Sequence, residues 1–166
     1  MSLLTLLAAR PAQADAVLTI PVRVQLAALV SISAPSSADL GSGTPGGSIS
    51  TFLGPVTVNG NQQSDWTATV SATNFTTPPG DVHRTITTSR VSYWSGDSTE
   101  TSGQGTFTPG QLATGDAQTL DSPRTAFSRS GDLSTNSVTW NPHLVIAVPS
   151  IAVAGTYTGT VTHSVA

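Results

Sequence analysis

Few side chains among these 166 residues could carry chemistry: three histidines, eight aspartates, one glutamate, and no cysteine. His83, His143 and His163 stand far apart, with no pair at i, i+2 or i, i+4 to grip a metal or set a base beside a nucleophile. His163 falls on the apolar parity of an alternating segment, which reads as a satisfied, partly buried core histidine. The aspartates sit singly in Gly- and Ser-rich stretches, where a carboxylate most often bonds its own turn. Glu100 is the only glutamate, so a glutamate pair for glycoside hydrolysis is impossible, and nothing marks an aspartate pair. Gly96-Asp97-Ser98 lacks the Gly-x-Ser-x-Gly frame of a nucleophile elbow and reads as a loop. Asp97, Glu100 and Asp116 lack the spacing of a calcium loop. Without cysteine there is no thiolate nucleophile or metal ligand. The sequence therefore reads as that of a non-enzyme, with no cofactor and no metal.

The aromatic residues point to recognition instead. Trp66 and Trp140 lie on apolar parities and read as core anchors. Tyr93 and Trp94 are neighbours and must point to opposite faces of a strand. Tyr93 shares its parity with Val91, whereas Trp94 shares its own with Arg90 and Ser92. Trp94 is therefore the candidate exposed ring, of the kind on which a sugar stacks.

The elements that must hold these rings are strands. Trp66, Ala68, Val70 and Ala72 alternate with Thr67, Thr69 and Ser71, and Tyr157, Gly159, Val161, His163 and Val165 alternate with threonine and serine. Val17 to Leu26 alternates in the same way, with Pro21 marking a sheet edge or bulge. The run from Val138 to Val148 is apolar on both parities beyond Leu144 and reads as one central strand covered on both sides. Turn signals separate these segments at Gly41–Gly47, Asn59–Asn61, Pro78–Gly80, Pro109-Gly110, Ser130–Asp132 and Ala154-Gly155. Ala34 to Ser50 reads as a long loop. The expected fold is all-β, an antiparallel β-sandwich of about nine or ten strands with no significant helix, forming a single domain over residues 17–166.

Composition fits that fold. Charged residues are 9 % of the chain, against roughly a quarter in an average soluble domain, and the net charge is −3. A nucleic-acid partner is thereby excluded, because no basic stripe is available to neutralise phosphates. The surface is hydroxyl instead, with 26 threonines and 22 serines. Threonine suits the pleat through its β-branch and meets water through its hydroxyl.

Residues 1–16 read as a signal-peptide-like segment. Leu3 to Ala9 is a short uncharged apolar run, and Ala12-Gln13-Ala14 and Ala14-Asp15-Ala16 have the small-x-small form of a cleavage site. No basic residue precedes the run, so the segment reads as a signal cut short at its start. The run is too short for a permanent span of about 20 residues, and no other stretch is long enough, so the mature form is expected to have no membrane anchor. Export to the cell surface or wall follows. Removal of the signal would free the alternating segment 17–26 to complete a neighbour's sheet. That gives an alternative role, a structural fibre or surface-layer subunit self-associating by strand addition.

Asp65-Trp66-Thr67-Ala68-Thr69-Val70 and Gly155-Thr156-Tyr157-Thr158-Gly159-Thr160-Val161-Thr162 resemble the WxL family of secreted surface domains of Gram-positive bacteria. Val91-Ser92-Tyr93-Trp94-Ser95-Gly96, Gly105-Thr106-Phe107-Thr108-Pro109-Gly110, Ala126-Phe127-Ser128 and Thr139-Trp140-Asn141-Pro142 are similar to stretches of small exported proteins of high-GC Gram-positives. So is the Ala34–Gly41 opening, and the likeness spans residues 17–166. The resemblance implies a β-rich domain held non-covalently on cell-wall peptidoglycan or another wall polymer. It adds Trp66 to Trp94 as a ligand-binding candidate, as counterpart of the first motif tryptophan. Ala68 stands where the motif has leucine, and His163 stands where the second motif has tryptophan.

Overall fold

The computed structural model describes residues 29–166. The signal-like segment 1–16 and the strand expected over 17–26 lie outside the described residues. Fourteen strand segments follow one another: β1 (Val30–Ser33), β2 (Ser48–Phe52), β3 (Val56–Gln63), β4 (Trp66–Ala72), β5 (Phe75–Thr76), β6 (Thr85–Ile86), β7 (Val91–Trp94), β8 (Ser98–Ser102), β9 (Thr106–Pro109), β10 (Gln118–Thr119), β11 (Arg124–Ser130), β12 (Ser134–Trp140), β13 (His143–Ala147) and β14 (Val161–Val165). The only helical pieces among the described residues are single 3₁₀ turns at Val82–Arg84, Thr88–Arg90 and Thr114–Asp116. No described helix is long and apolar enough to cross a membrane. Every strand pairing is antiparallel. The all-β, sandwich-like architecture expected from the alternation is the one present.

Three sheets of four strands are formed, in the orders β1-β3-β12-β8, β10-β7-β13-β2 and β14-β4-β11-β9, with a small β5-β6 pair beside them. The first two sheets are halves of one bent layer. Segments β2 and β3, β7 and β8, and β12 and β13 are each a long strand interrupted once, and they neighbour one another in the same order on both sides of the break. The register shows how the layer bends. His143 faces Phe52 on one side and Trp94 on the other. An unbroken ladder would then set Trp140 opposite Pro55 and Asp97, but it faces Val56 and Ser98. Each flanking strand thus carries one extra residue at the break, the local excess that kinks a sheet. Gly54-Pro55, Gly96 and Asn141-Pro142 supply the kinks. Pro142 cannot donate to the ladder, yet its carbonyl accepts from Leu53 N at 2.9 Å.

The first and third sheets face each other and meet along both rims, β1 beside β14 and β8 beside β9. Val56, Val58, Val138 and Trp140 from one sheet and Trp66, Ala68, Val70, Ala126 and Phe127 from the other fill the space between them. Phe127 stacks on Trp140 with ring centroids 5.0 Å apart. The indole N–H of Trp66 donates to Asn136 Oδ1 at 3.0 Å, which satisfies a polar atom that burial would otherwise penalise.

One end of the sandwich is tied by Arg129, only 2 % exposed and matched by no carboxylate among the described residues. Its guanidinium donates to the carbonyls of Gln63, Gln104 and Asp132 and to Ser134 Oγ, drawing three separate turns together. Backbone must come close for this to work. A Cβ at Gly105 (φ +115°) would stand 2.7 Å from Arg129 Nε.

Four expectations need correction. The turn expected at Asn59–Asn61 lies inside β3, where Asn59 and Gly60 pair with both β1 and β12. The run from Val138 to Val148 is two strands in two sheets, because Asn141-Pro142 breaks it. Beyond the break only Leu144 and Ile146 are buried within β13, while Val145 is half-buried and Ala147 exposed, so the strand is central but covered on one face. The breaks also raise the number of segments above the nine or ten expected. Finally, the last strand is shorter than its alternation suggested. Thr158 makes only an isolated bridge with Thr76, and regular pairing starts at Val161, after Gly159 has passed against the Phe75 ring.

Candidate functional site

Two sets of rings meet at β7, one through Tyr93 on its inner face and one through Trp94 on its outer face. The inner set is closed. Trp140 Nε1 donates to Tyr93 Oη at 3.3 Å, and Tyr93 Oη lies 3.1 Å from His163 Nε2. A phenol has one proton. With Oη accepting from Trp140, its remaining capacity is met at His163 Nε2, a contact that an uncharged imidazole makes in either tautomer. Burial agrees, holding the His163 pKa down to about 4 and raising that of Tyr93 above its ordinary range. His163 is thus the satisfied, partly buried histidine that its parity indicated. It also borders a cavity of about 190 Å³ shared with Leu53, Val56, Phe75 and the Ala34–Leu40 segment.

The outer set is open. Antiparallel pairing puts Trp94, His143 and Phe52 directly opposite one another on β7, β13 and β2, and residues so paired share a face. Trp94 lies flat against His143, with centroids 4.2 Å apart and planes 18° from parallel. Phe52 meets the same imidazole edge to face at 4.4 Å. The row beyond it on this face is Ser92, Val145 and Ser50, and no carboxylate, lysine or arginine occurs in β2, β7 or β13. Ser50 Oγ reaches His143 Nδ1 at 3.4 Å. Partial burial lowers the His143 pKa from its usual value, which favours an uncharged ring in the row.

This geometry revises the site read from sequence. Trp94 is on the outer face but is half-buried, with one side taken by His143, so it is not a free-standing ring. The exposed ring is Phe52, at 59 %. Trp66 is 2 % exposed with its N–H engaged, so its ring offers nothing to a ligand arriving from solvent. Phe52 and His143 escaped the sequence reading because only long-range register brings them to Trp94. One local signal pointed to His143: it follows Asn141-Pro142 on the parity opposite to Leu144 and Ile146.

Most of the carboxylates act locally, whereas Asp65 Oδ1 accepts from Gly131 N, 66 residues away, at 3.0 Å. Asp39, Asp81, Asp97 and Asp116 each accept a backbone N–H within three residues, and Asp81 and Asp121 pair with Arg84 and Arg124. Asp97, Glu100 and Asp116 do not gather, and no cluster of three His, Asp or Glu side chains able to hold a metal occurs among the described residues. No protein-family model matches the chain, and no curated protein matches it.

Proposed function

We propose that this protein is a non-catalytic, exported surface protein that associates non-covalently with cell-wall peptidoglycan or a related glycan through the outer face of the β10-β7-β13-β2 sheet. The observation that carries this reading is the Trp94–His143–Phe52 row on a surface otherwise made of serine and small apolar side chains. A sugar ring presents C–H groups to an aromatic face and hydroxyls to its surroundings, and this face offers both kinds of partner. The row on β2, β7 and β13 brings no fixed charge, which suits a neutral glycan, and the Asp121–Arg124 pair held by Thr119 marks the β10 edge of the face. The signal-like segment and the WxL-like motifs give the same direction. Departures from the motif tryptophans need not remove binding if the row, rather than Trp66 or position 163, makes the contact.

Co-sedimentation with purified Gram-positive peptidoglycan tests the proposal. The chain is expected in the pellet, and soluble wall fragments should return it to the supernatant. Phe52→Ala and Trp94→Ala should each weaken binding about 3- to 10-fold, the range for loss of one stacked aromatic contact. Full binding by both variants would refute the assignment of this face.

A further inference from the structure

The sheet that bears the row has two edges, and they are unlike. β10 is two residues long. β2 is five residues, Ser48-Ile49-Ser50-Thr51-Phe52, without proline or charge, and among the described residues its backbone makes no hydrogen bond on the side away from β13. In the other two large sheets the edge strands are guarded, since β1 lies beside β14 and β8 beside β9. The ladder settles which atoms of β2 face outward. Leu53 N donates to Pro142 O, so the hydrogen-bonded rows are Leu53–Pro142, Thr51–Leu144 and Ile49–Ile146. The N–H and C=O groups of Ser48, Ser50 and Phe52 therefore point away from the sheet, and all three residues are exposed. The Ala34–Leu40 segment turns under the sheet, where it lines the cavity beside His163, and forms no ladder with this edge.

We infer that β2 is a strand-addition edge that pairs antiparallel with β2 of a second copy of this chain, about a two-fold axis at Ser50. In that register Ser50 faces Ser50 and Ser48 faces Phe52, so outward groups meet outward groups in about six backbone hydrogen bonds. Ile49 and Thr51 of both copies stay on the covered face, and Ser48, Ser50 and Phe52 stay on the outer one, so no side chain changes sides. Natural edges are normally defended by lysine, proline or a bulge, and β2 has none of these. The partner is a second copy because the segment is its own complement in polarity and side-chain parity, the requirement of a two-fold interface. No charge in β2 or β13 opposes the approach. The inference does not depend on glycan binding, although the joined sheet would carry two ring rows on one surface.

Light scattering of the 166-residue chain from low micromolar to millimolar concentration tests it. The mass should rise from one chain to two and stop there. Ser50→Pro removes an outward N–H while sparing the β13 ladder, and should leave a folded monomer at every concentration. Ser50→Lys and Ser50→Asp each set like charges across the axis and should weaken association about five-fold at low salt. Mixing the two charge variants should restore a dimer. A wild-type monomer throughout, growth beyond two chains, or a charge-variant mixture no tighter than its parts would each overturn the pairing.

Discussion

Tyr93 and Trp94, neighbours on β7, each enter a set of three rings that includes one tryptophan and one histidine, yet the two sets use them differently. On the inner face Trp140, Tyr93 and His163 form a hydrogen-bonded chain in which the indole N–H, the phenol oxygen and the imidazole Nε2 all have partners. On the outer face Trp94, His143 and Phe52 touch only through their rings, apart from a long contact between His143 and Ser50. Burial explains the contrast. A polar atom away from water must be paired or it destabilises the fold, whereas one at the surface can wait for a ligand. The same residue types thus hold the core together on one side and leave contacts to be made on the other.

The comparison can be broken most forcefully at Trp140. Trp140→Ala removes the largest fully buried side chain and leaves Phe127 unstacked, and should cost about 3–5 kcal/mol in chemical denaturation. Acid comes next. The folded-state pKa of His163 is lowered to about 4 from 6.5, so the unfolded chain takes up the proton first as pH falls. The contribution is full above pH 6.5, declines as pH drops toward 4, and totals about 3 kcal/mol. Urea titrations across that window should show the loss in the wild type and a flatter profile in His163→Gln, which keeps an acceptor but cannot ionise. Tyr93→Phe removes one oxygen and strands both the Trp140 N–H and His163 Nε2, for about 2 kcal/mol. Phe52→Ala should change stability by less than about 1 kcal/mol, because the ring is mostly exposed, while reducing wall binding.

Period-two alternation made much of this legible beforehand. Trp66 to Ala72 forms the strand its pattern indicates, with Trp66, Ala68 and Val70 all buried. The opposed sides of Tyr93 and Trp94 follow from adjacency alone, and Tyr93 is fully buried while Trp94 lies on the outer face. What was not legible depends on pairing between distant segments. The bend at Asn141-Pro142 makes sense only when the extra residues in the two neighbouring strands are seen. Nothing in the sequence marks Arg129 for burial, since carbonyls that accept from it come from turns 25 and 66 residues away. Phe52 and His143 are 91 positions apart in the chain and become one surface only through register.

We propose that the outer row binds wall glycan while the inner set supports the fold. The most direct test is co-sedimentation of three chains with purified peptidoglycan: wild type, the Phe52→Ala/Trp94→Ala double variant, and Tyr93→Phe, each under conditions where circular dichroism shows it folded. The expected result is wall binding by the wild type and by Tyr93→Phe, and binding about 10- to 100-fold weaker by the double variant. Undiminished binding by the folded double variant, or no binding by the wild type, would contradict it.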